Sequence, residues 1–188
     1  MNQVQRDNKQ DFVILNLIQK PPPILSYFYQ RMHHKKSYTV QEAQSRMEGY
    51  CAYQERCHKE VEQKLYEMRM IPEASAQIIH HLLQHNFLNE SRFSQAFARG
   101  KFRVKKWGKV RIIRELKQRN ISAYNIKLAL KEIPDSEYYQ TFESLAEKRI
   151  VQLISEKNLQ KKRKKTADYL LYRGWESNMV YEKIREIV

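Results

Sequence analysis

Residues 87–122 read FLNESRFSQAFARGKFRVKKWGKVRIIRELKQRNIS. Asn89 stands where a helix N-cap is wanted, and the spacing of Phe93, Ala96 and Phe97 predicts one helix with these three side chains inward. Gly108 then precedes a second helix carrying Ile112, Ile113 and Leu116. Ser122 can cap a third, in which Ile126, Ala129, Leu130 and Ile133 fall at i, i+3, i+4 and i+7 before Pro134 and Asp135 break the run. Residues 89–134 are therefore expected to form a three-helix unit.

The same grammar recurs on both sides. Upstream, Thr39 and Glu42 make a capping box, followed by Ala43, Met47, Tyr50 and Cys51 on one face. Val61, Leu65 and Met68 mark a second helix, and Pro72 opens a third with Ile78, Ile79, Leu82 and Leu83. Downstream, a further round runs from Tyr138 through Phe142, Leu145, Ala146, Ile150 and Leu153, then Ala167, Leu170 and Leu171, then Val180, Ile184 and Ile187. In each round a leucine precedes a large apolar residue by five positions: Leu65 and Met70, Leu116 and Ile121, Leu170 and Trp175. The leucines are 51 and then 54 residues apart, a period that reads as a tandem helical array. The expected fold is all-α, three three-helix repeats (39–88, 89–134, 135–188) in an elongated and curved array. Residues 1–38, with Pro21–Pro23 and no clear helical period, read as a flexible extension.

Composition agrees with that reading and narrows function. Only 4 glycines and 5 prolines occur in 188 residues, which favours helices on short loops. The glycine-patterned motifs that cradle phosphates or present a nucleophilic serine are absent. Two cysteines, Cys51 and Cys57, cannot build a disulfide framework and point to a reducing compartment. No apolar run reaches the ~20 residues of a membrane span. The stretch Phe12–Ile18 lacks a signal-peptide cleavage site, so a cytoplasmic protein is expected.

The formal charge is +14, and two windows hold all of it: residues 101–119 net +8 and residues 157–165 net +6. A polyanionic partner is the natural inference. On the first helix of the middle repeat Arg92, Gln95, Arg99, Arg103 and Lys106 fall on one predicted stripe, and Arg111, Arg114 and Gln118 do the same on the next. The two basic faces should meet near Trp107 and Gly108. The run Lys161–Lys165 is placed just before the middle helix of the third repeat. Isolated basic stripes are commonly solvated faces, but eight excess positives over 19 residues repel one another without a partner.

Other constellations carry less. His81 and His85 have the i, i+4 spacing of a metal pair with no third ligand in register, and Cys57 beside His58 has no identifiable oriented base. The 12 tyrosines read as core or rim residues.

The segment Phe87–Ser122 resembles the RecX family of regulators of the RecA recombinase. The elements that carry the likeness are Phe87, Glu90, Arg92-Phe93, Phe97, Gly108, Arg111-Ile112, Glu115-Leu116 and Asn120-Ile121. It extends in weaker form from about Ala43 to Val188. Asn120 stands in place of the usual turn glycine, and Ser94 where alanine is common. The resemblance implies tandem three-helix repeats and a non-enzymatic, monomeric modulator, mainly an inhibitor, with no cofactor. Such proteins lodge in the groove of a RecA filament on DNA and restrain its ATPase, strand-exchange and coprotease activities. On that reading Arg92, Arg99, Arg103, Lys105, Lys106, Lys109, Arg111 and Arg114 face acidic filament surface or single- or double-stranded DNA, with Lys161, Lys162, Arg163, Lys164 and Lys165 as a second anchor.

The competing class is a direct DNA-binding protein of helix-turn-helix type, in which the last helix of a unit reads the major groove. Here the third helices carry little base-reading chemistry: Tyr124, Asn125 and Lys127 in one, Asn178 and Lys183 in the other. A metal-dependent hydrolase would need clustered carboxylates, and the two basic windows contain only Glu115.

Overall fold

The computed structural model describes residues 37–187. All but the last two residues of the predicted extension, including Phe12–Ile18, lie outside the described residues. Among the described residues the chain forms helices and no strand: α1 (Val40–Tyr53), α2 (His58–Glu67), α3 (Pro72–Gln84), α4 (Glu90–Lys105), α5 (Lys109–Gln118), α6 (Ala123–Leu130), α7 (Asp135–Gln152), α8 (Leu159–Tyr172) and α9 (Ser177–Arg185). They follow one another as three trios, the tandem three-helix array that the sequence periodicity predicts.

The predicted caps are made. The Glu42 amide donates to Thr39 Oγ1 (3.2 Å) while the Thr39 amide donates to Glu42 Oε2 (2.9 Å), a reciprocal capping box. Pro72 occupies the first turn of α3, and the Asn89 and Ser122 side chains accept from the Arg92 and Asn125 amides.

The five-residue joint has a single physical cause. After α2, α5 and α8 the chain takes one residue in the left-handed region: Arg69 (φ 60°), Asn120 (φ 59°) and Gly174 (φ 83°). The next amide then reaches back to the leucine carbonyl: Met70 to Leu65 (3.1 Å), Ile121 to Leu116 (3.1 Å) and Trp175 to Leu170 (3.3 Å). The left-handed residue donates to the following carbonyl, of Tyr66, Lys117 and Leu171 respectively. Each joint is thus a Schellman cap, which satisfies two orphan carbonyls and sets the apolar residue after the turn against the leucine. Leu65, Leu116 and Leu170 are fully buried. Leu116→Ala should cost about 2–5 kcal/mol, the usual large-to-small core penalty; an unchanged denaturation midpoint would refute this core role.

Three local expectations are corrected. The buried face of α4 is Phe93, Ser94, Ala98 and Phe102, not Phe93, Ala96 and Phe97. The cause is the close packing of α4 on α6, where Ala98 is fully buried and the Ser94 hydroxyl lies 2.8 Å from the Ser91 carbonyl and 3.3 Å from that of Asn125. Phe97 is turned toward Trp107 instead (ring centroids 6.4 Å apart). Lys106 is not on the helical stripe, because it caps α4 in the left-handed region at φ 53°. Lys161–Lys165 lies inside α8 rather than before it, since the Asn158 side chain accepts from the Lys161 amide and starts the helix there.

The second and third repeats share one core. Trp175, 1% exposed, packs against Tyr138 and Phe142 with centroids 4.6 and 5.3 Å away, and Tyr138 lies against Phe102 of α4. At the seam the Gly108 amide donates to the Arg173 carbonyl (2.9 Å) and the Val110 amide to that of Gly174 (3.1 Å). Free amides at the start of α5 are thereby met by free carbonyls at the end of α8, with opposed partial charges in contact. The Lys109 amide donates to the Tyr138 hydroxyl (2.9 Å), which donates to Glu176 Oε2 (2.5 Å). Burial first, and then the Glu176 hydrogen bond, push the Tyr138 phenol well above its ordinary range, so it stays a donor. The first repeat joins the second through Cys57, fully buried in the same core, and through polar contacts. Arg92 pairs with Glu55, Arg119 with Glu60 (3.7 Å), and Lys59 donates to the Gln118 carbonyl (2.9 Å).

Candidate polyanion-binding surface

Charge is divided unevenly among the repeats. Residues 39–88 carry 5 Lys and Arg against 7 Asp and Glu, residues 89–134 carry 13 against 3, and residues 135–188 carry 11 against 9. The excess therefore belongs to the second repeat, and the folded chain sorts its cations into two sets.

One set is neutralised by carboxylates brought in from elsewhere in the chain. Besides Arg92 with Glu55, Arg99 meets Glu132 (2.8 Å), Arg103 meets Glu137 (3.5 Å) and Lys109 meets Asp135 (2.8 Å). The stripe Arg92–Arg99–Arg103 is thus a set of ion pairs. In the third repeat Lys165 pairs with Glu156 (2.6 Å), and Arg163 donates twice to the Ile187 carbonyl (3.1 and 2.7 Å), fastening the end of the chain to α8.

The second set has no carboxylate partner among the described residues. Within the two basic windows it comprises Lys101, Lys105, Lys106, Arg111, Arg114 and Lys117 in the second repeat, and Lys157, Lys161, Lys162, Lys164 and the carbonyl-bound Arg163 in the third. Two of these, Lys101 and Arg111, lie on aromatic rings. Arg119, paired on its other side, sits 5.0 Å from the Phe97 centroid, and Lys101 is 5.2 Å from Phe97 and 5.3 Å from Trp107. Arg111 lies 4.1 Å from Trp107 and 4.9 Å from Tyr172, and its Nη1 donates to the Tyr172 carbonyl (3.0 Å). Cations and rings alternate without a break from α5 and α4 across the seam to the end of α8. The stacking holds each guanidinium or ammonium in place, with Arg111 also tied to the Tyr172 carbonyl and Arg119 to Glu60 and Glu115. Tyr172 is 73% exposed at the far end, on the same helix as Lys161 and Lys164.

Sequence reasoning placed Lys105, Lys106, Arg111 and Arg114 in the site, and they are in the unneutralised set. It missed Phe97, Lys101, Trp107 and Tyr172. The first three had a readable signal, since Lys101 and Arg111 each follow an aromatic residue by four positions. Tyr172 had none, because its partner lies 61 residues away.

Residues 89–130 match the family model described as RecX, second three-helix domain, and residues 135–184 match that of the third. These two segments carry the second and third three-helix domains of the RecX family. A Regulatory protein RecX from Lactobacillus gasseri is 34% identical over 102 residues, covering 54% of this chain and 36% of that protein. One from Oceanobacillus iheyensis is 25% identical over 138 residues, covering 73% and 50%. The chain thus spans about a third to a half of the length of the RecX relatives it matches. A crystal structure of RecX from Lactobacillus salivarius superposes with a TM-score of 0.66 at 23% identity over 79% of this chain and 96% of that one. A second RecX crystal structure gives 0.68 at 23% identity, covering 78% and 73%. Both support the fold.

His81 Nε2 lies 2.7 Å from Glu48 Oε1, and its ring packs 4.3 Å from that of His85. Among the described residues no group of three or more His, Cys, Asp or Glu side chains could hold a metal ion. Cys57 is fully buried, and desolvation raises its thiol pKa above the ordinary value, the opposite of an activated nucleophile. Among the described residues no helix is long and apolar enough to cross a membrane.

Proposed function

We propose that this protein binds the RecA recombinase assembled on DNA and restrains its ATPase, strand-exchange and coprotease activities, acting as a monomer without catalysis of its own. The observation that carries the reading is the alternating band of cations and rings from Arg119 to Tyr172, which crosses a repeat boundary. A band of this kind suits a long anionic partner laid across two repeats, not a small molecule held in a pocket. Likeness to a family of regulatory proteins points the same way.

On this reading Lys105, Lys106, Arg111, Arg114, Lys161, Lys162 and Lys164 make the anionic contacts. Arg92, Arg99, Arg103, Lys109, Arg163 and Lys165 hold the array together behind them. The chain is organised as an extension (1–38) and three domains (39–88, 89–134, 135–188), and it works in the cytoplasm. The test is RecA ATPase on single-stranded DNA, with and without substoichiometric protein, at two salt concentrations. Hydrolysis should fall, and fall further at the lower salt. No effect at either salt would end this reading, and a sequence-selective footprint on duplex DNA without RecA would replace it with that of a direct DNA-binding protein.

A further inference from the structure

Among the described residues the outer face of α4 is left open along its second half. Ala96, Gly100 and Val104 succeed one another at intervals of four, so they lie in one row along the helix. A Cβ added at Gly100 would meet no heavy atom within 4 Å, and Val104 is 74% exposed. Small side chains make this row a groove. Beside it Phe97, Lys101 and Lys105 form the flanking ridge at the same spacing. Glu55 and Glu60 of the first repeat line the same cleft, whose volume is about 470 Å³.

The charges here are arranged asymmetrically. Glu55 and Glu60 are already held by Arg92 and Arg119. Lys105 is exposed and has no carboxylate partner among the described residues, and Lys101 rests on Phe97 and Trp107 with no counter-ion. The uncompensated charge is therefore positive and lies on the α4 side of an apolar floor. A nucleic acid strand carries a phosphate about every 3.4 Å, and its charges would run against the two carboxylates and over that floor. An amphipathic helix fits both features. Its apolar ridge fills the Ala96–Gly100–Val104 row by ridge-in-groove packing, and carboxylates along one edge reach Lys101 and Lys105.

We infer that this cleft docks an amphipathic helix with an acidic edge that belongs to the protein part of the filament, while the DNA-facing cations lie outside it. The inference rests on the filament reading above and divides that surface into a protein-binding part and a nucleic-acid-binding part. The experiment uses the full chain carrying Gly100→Gln and Val104→Gln, with Val104→Gln alone as a second variant. Both positions open to solvent, so an unchanged melting curve is expected for each. Affinity is measured for RecA filaments on single-stranded DNA by co-sedimentation, and for the same DNA without RecA by fluorescence anisotropy. Filament affinity should fall about tenfold in the double variant, and less in the single one, with bare-DNA affinity unchanged. Unchanged filament affinity overturns the docking site and leaves the filament reading standing. A parallel loss on bare DNA overturns it in favour of a nucleic-acid cleft. A wild-type chain that fails to sediment with filaments overturns the filament reading, and this inference with it.

Discussion

Gly174→Ala lowers the stability of the chain by about 3 kcal/mol or more. Two costs add. At φ 83° an L side chain sits in the left-handed region, which costs roughly 1–2 kcal/mol. The new Cβ would also lie 2.2 Å from Arg111 Cβ and 2.4 Å from the Arg111 amide nitrogen, and backbone cannot step aside as a flexible side chain can. The seam must open, and its two backbone hydrogen bonds, from Gly108 to Arg173 and from Val110 to Gly174, go with it at about 1 kcal/mol each. Gly108→Ala isolates the second cost. That residue has an ordinary φ of −75°, yet its Cβ would fall 2.1 Å from the Gly174 carbonyl oxygen. For a chain of this size the Gly174 substitution corresponds to a fall in melting temperature of roughly 6–12 °C, read by circular dichroism. The double variant should cost less than the sum, because both changes break one contact. A Gly108→Ala chain that melts with wild type would show that the seam is not closed at the backbone.

The seam could not be read from the sequence, whereas the joints within each repeat could. A Schellman cap is local. The same few residues supply the left-handed turn, the returning amide and the apolar contact, so its signature survives as a leucine with a large apolar residue five places on. It survives even where the turn residue changes from Arg69 to Asn120 to Gly174, because the hydrogen bonds are made by backbone. Gly108 against Gly174 is a contact across 66 positions, and nothing near either glycine in the chain announces the other. The charges follow the same rule. Counting Lys and Arg located the basic repeat correctly, but neutralisation depends on which carboxylates folding brings close. Glu55, Glu132, Asp135 and Glu137 lie outside the basic windows, and each meets one of the cations assigned to the site. Helical spacing misjudged α4 for a related reason. Phe93, Ala96 and Phe97 are a plausible apolar face, but the small Ser94 and Ala98 admit α6 at closer range, and the helix turns its buried side toward them.

This division of the cations predicts opposite results for two sets of substitutions that look alike in sequence. Lys106, Arg114 and Lys117 changed together to Gln should flatten the log–log dependence of single-stranded DNA binding on salt by roughly 2 units, at about 0.7 per phosphate contact. Over a fourfold rise in salt, that amounts to roughly twentyfold less affinity lost than in wild type. Stability should hardly move, because these side chains have no carboxylate partner among the described residues to lose. Arg99→Gln with Arg103→Gln should leave the slope near its wild-type value, since Glu132 and Glu137 already neutralise both guanidinium groups. These two changes should instead cost a small amount of stability, at most about 1 kcal/mol for each half-exposed pair. Glu132→Gln with Glu137→Gln tests the same point from the other side: it frees two arginines on the predicted stripe and should steepen the slope by up to about 1.4 units on single strands. Slopes that fall equally for the Lys106 set and for the Arg99 and Arg103 pair would mean that the intramolecular carboxylates do not compete with phosphate, and that all thirteen Lys and Arg residues of the second repeat act as one undivided charge.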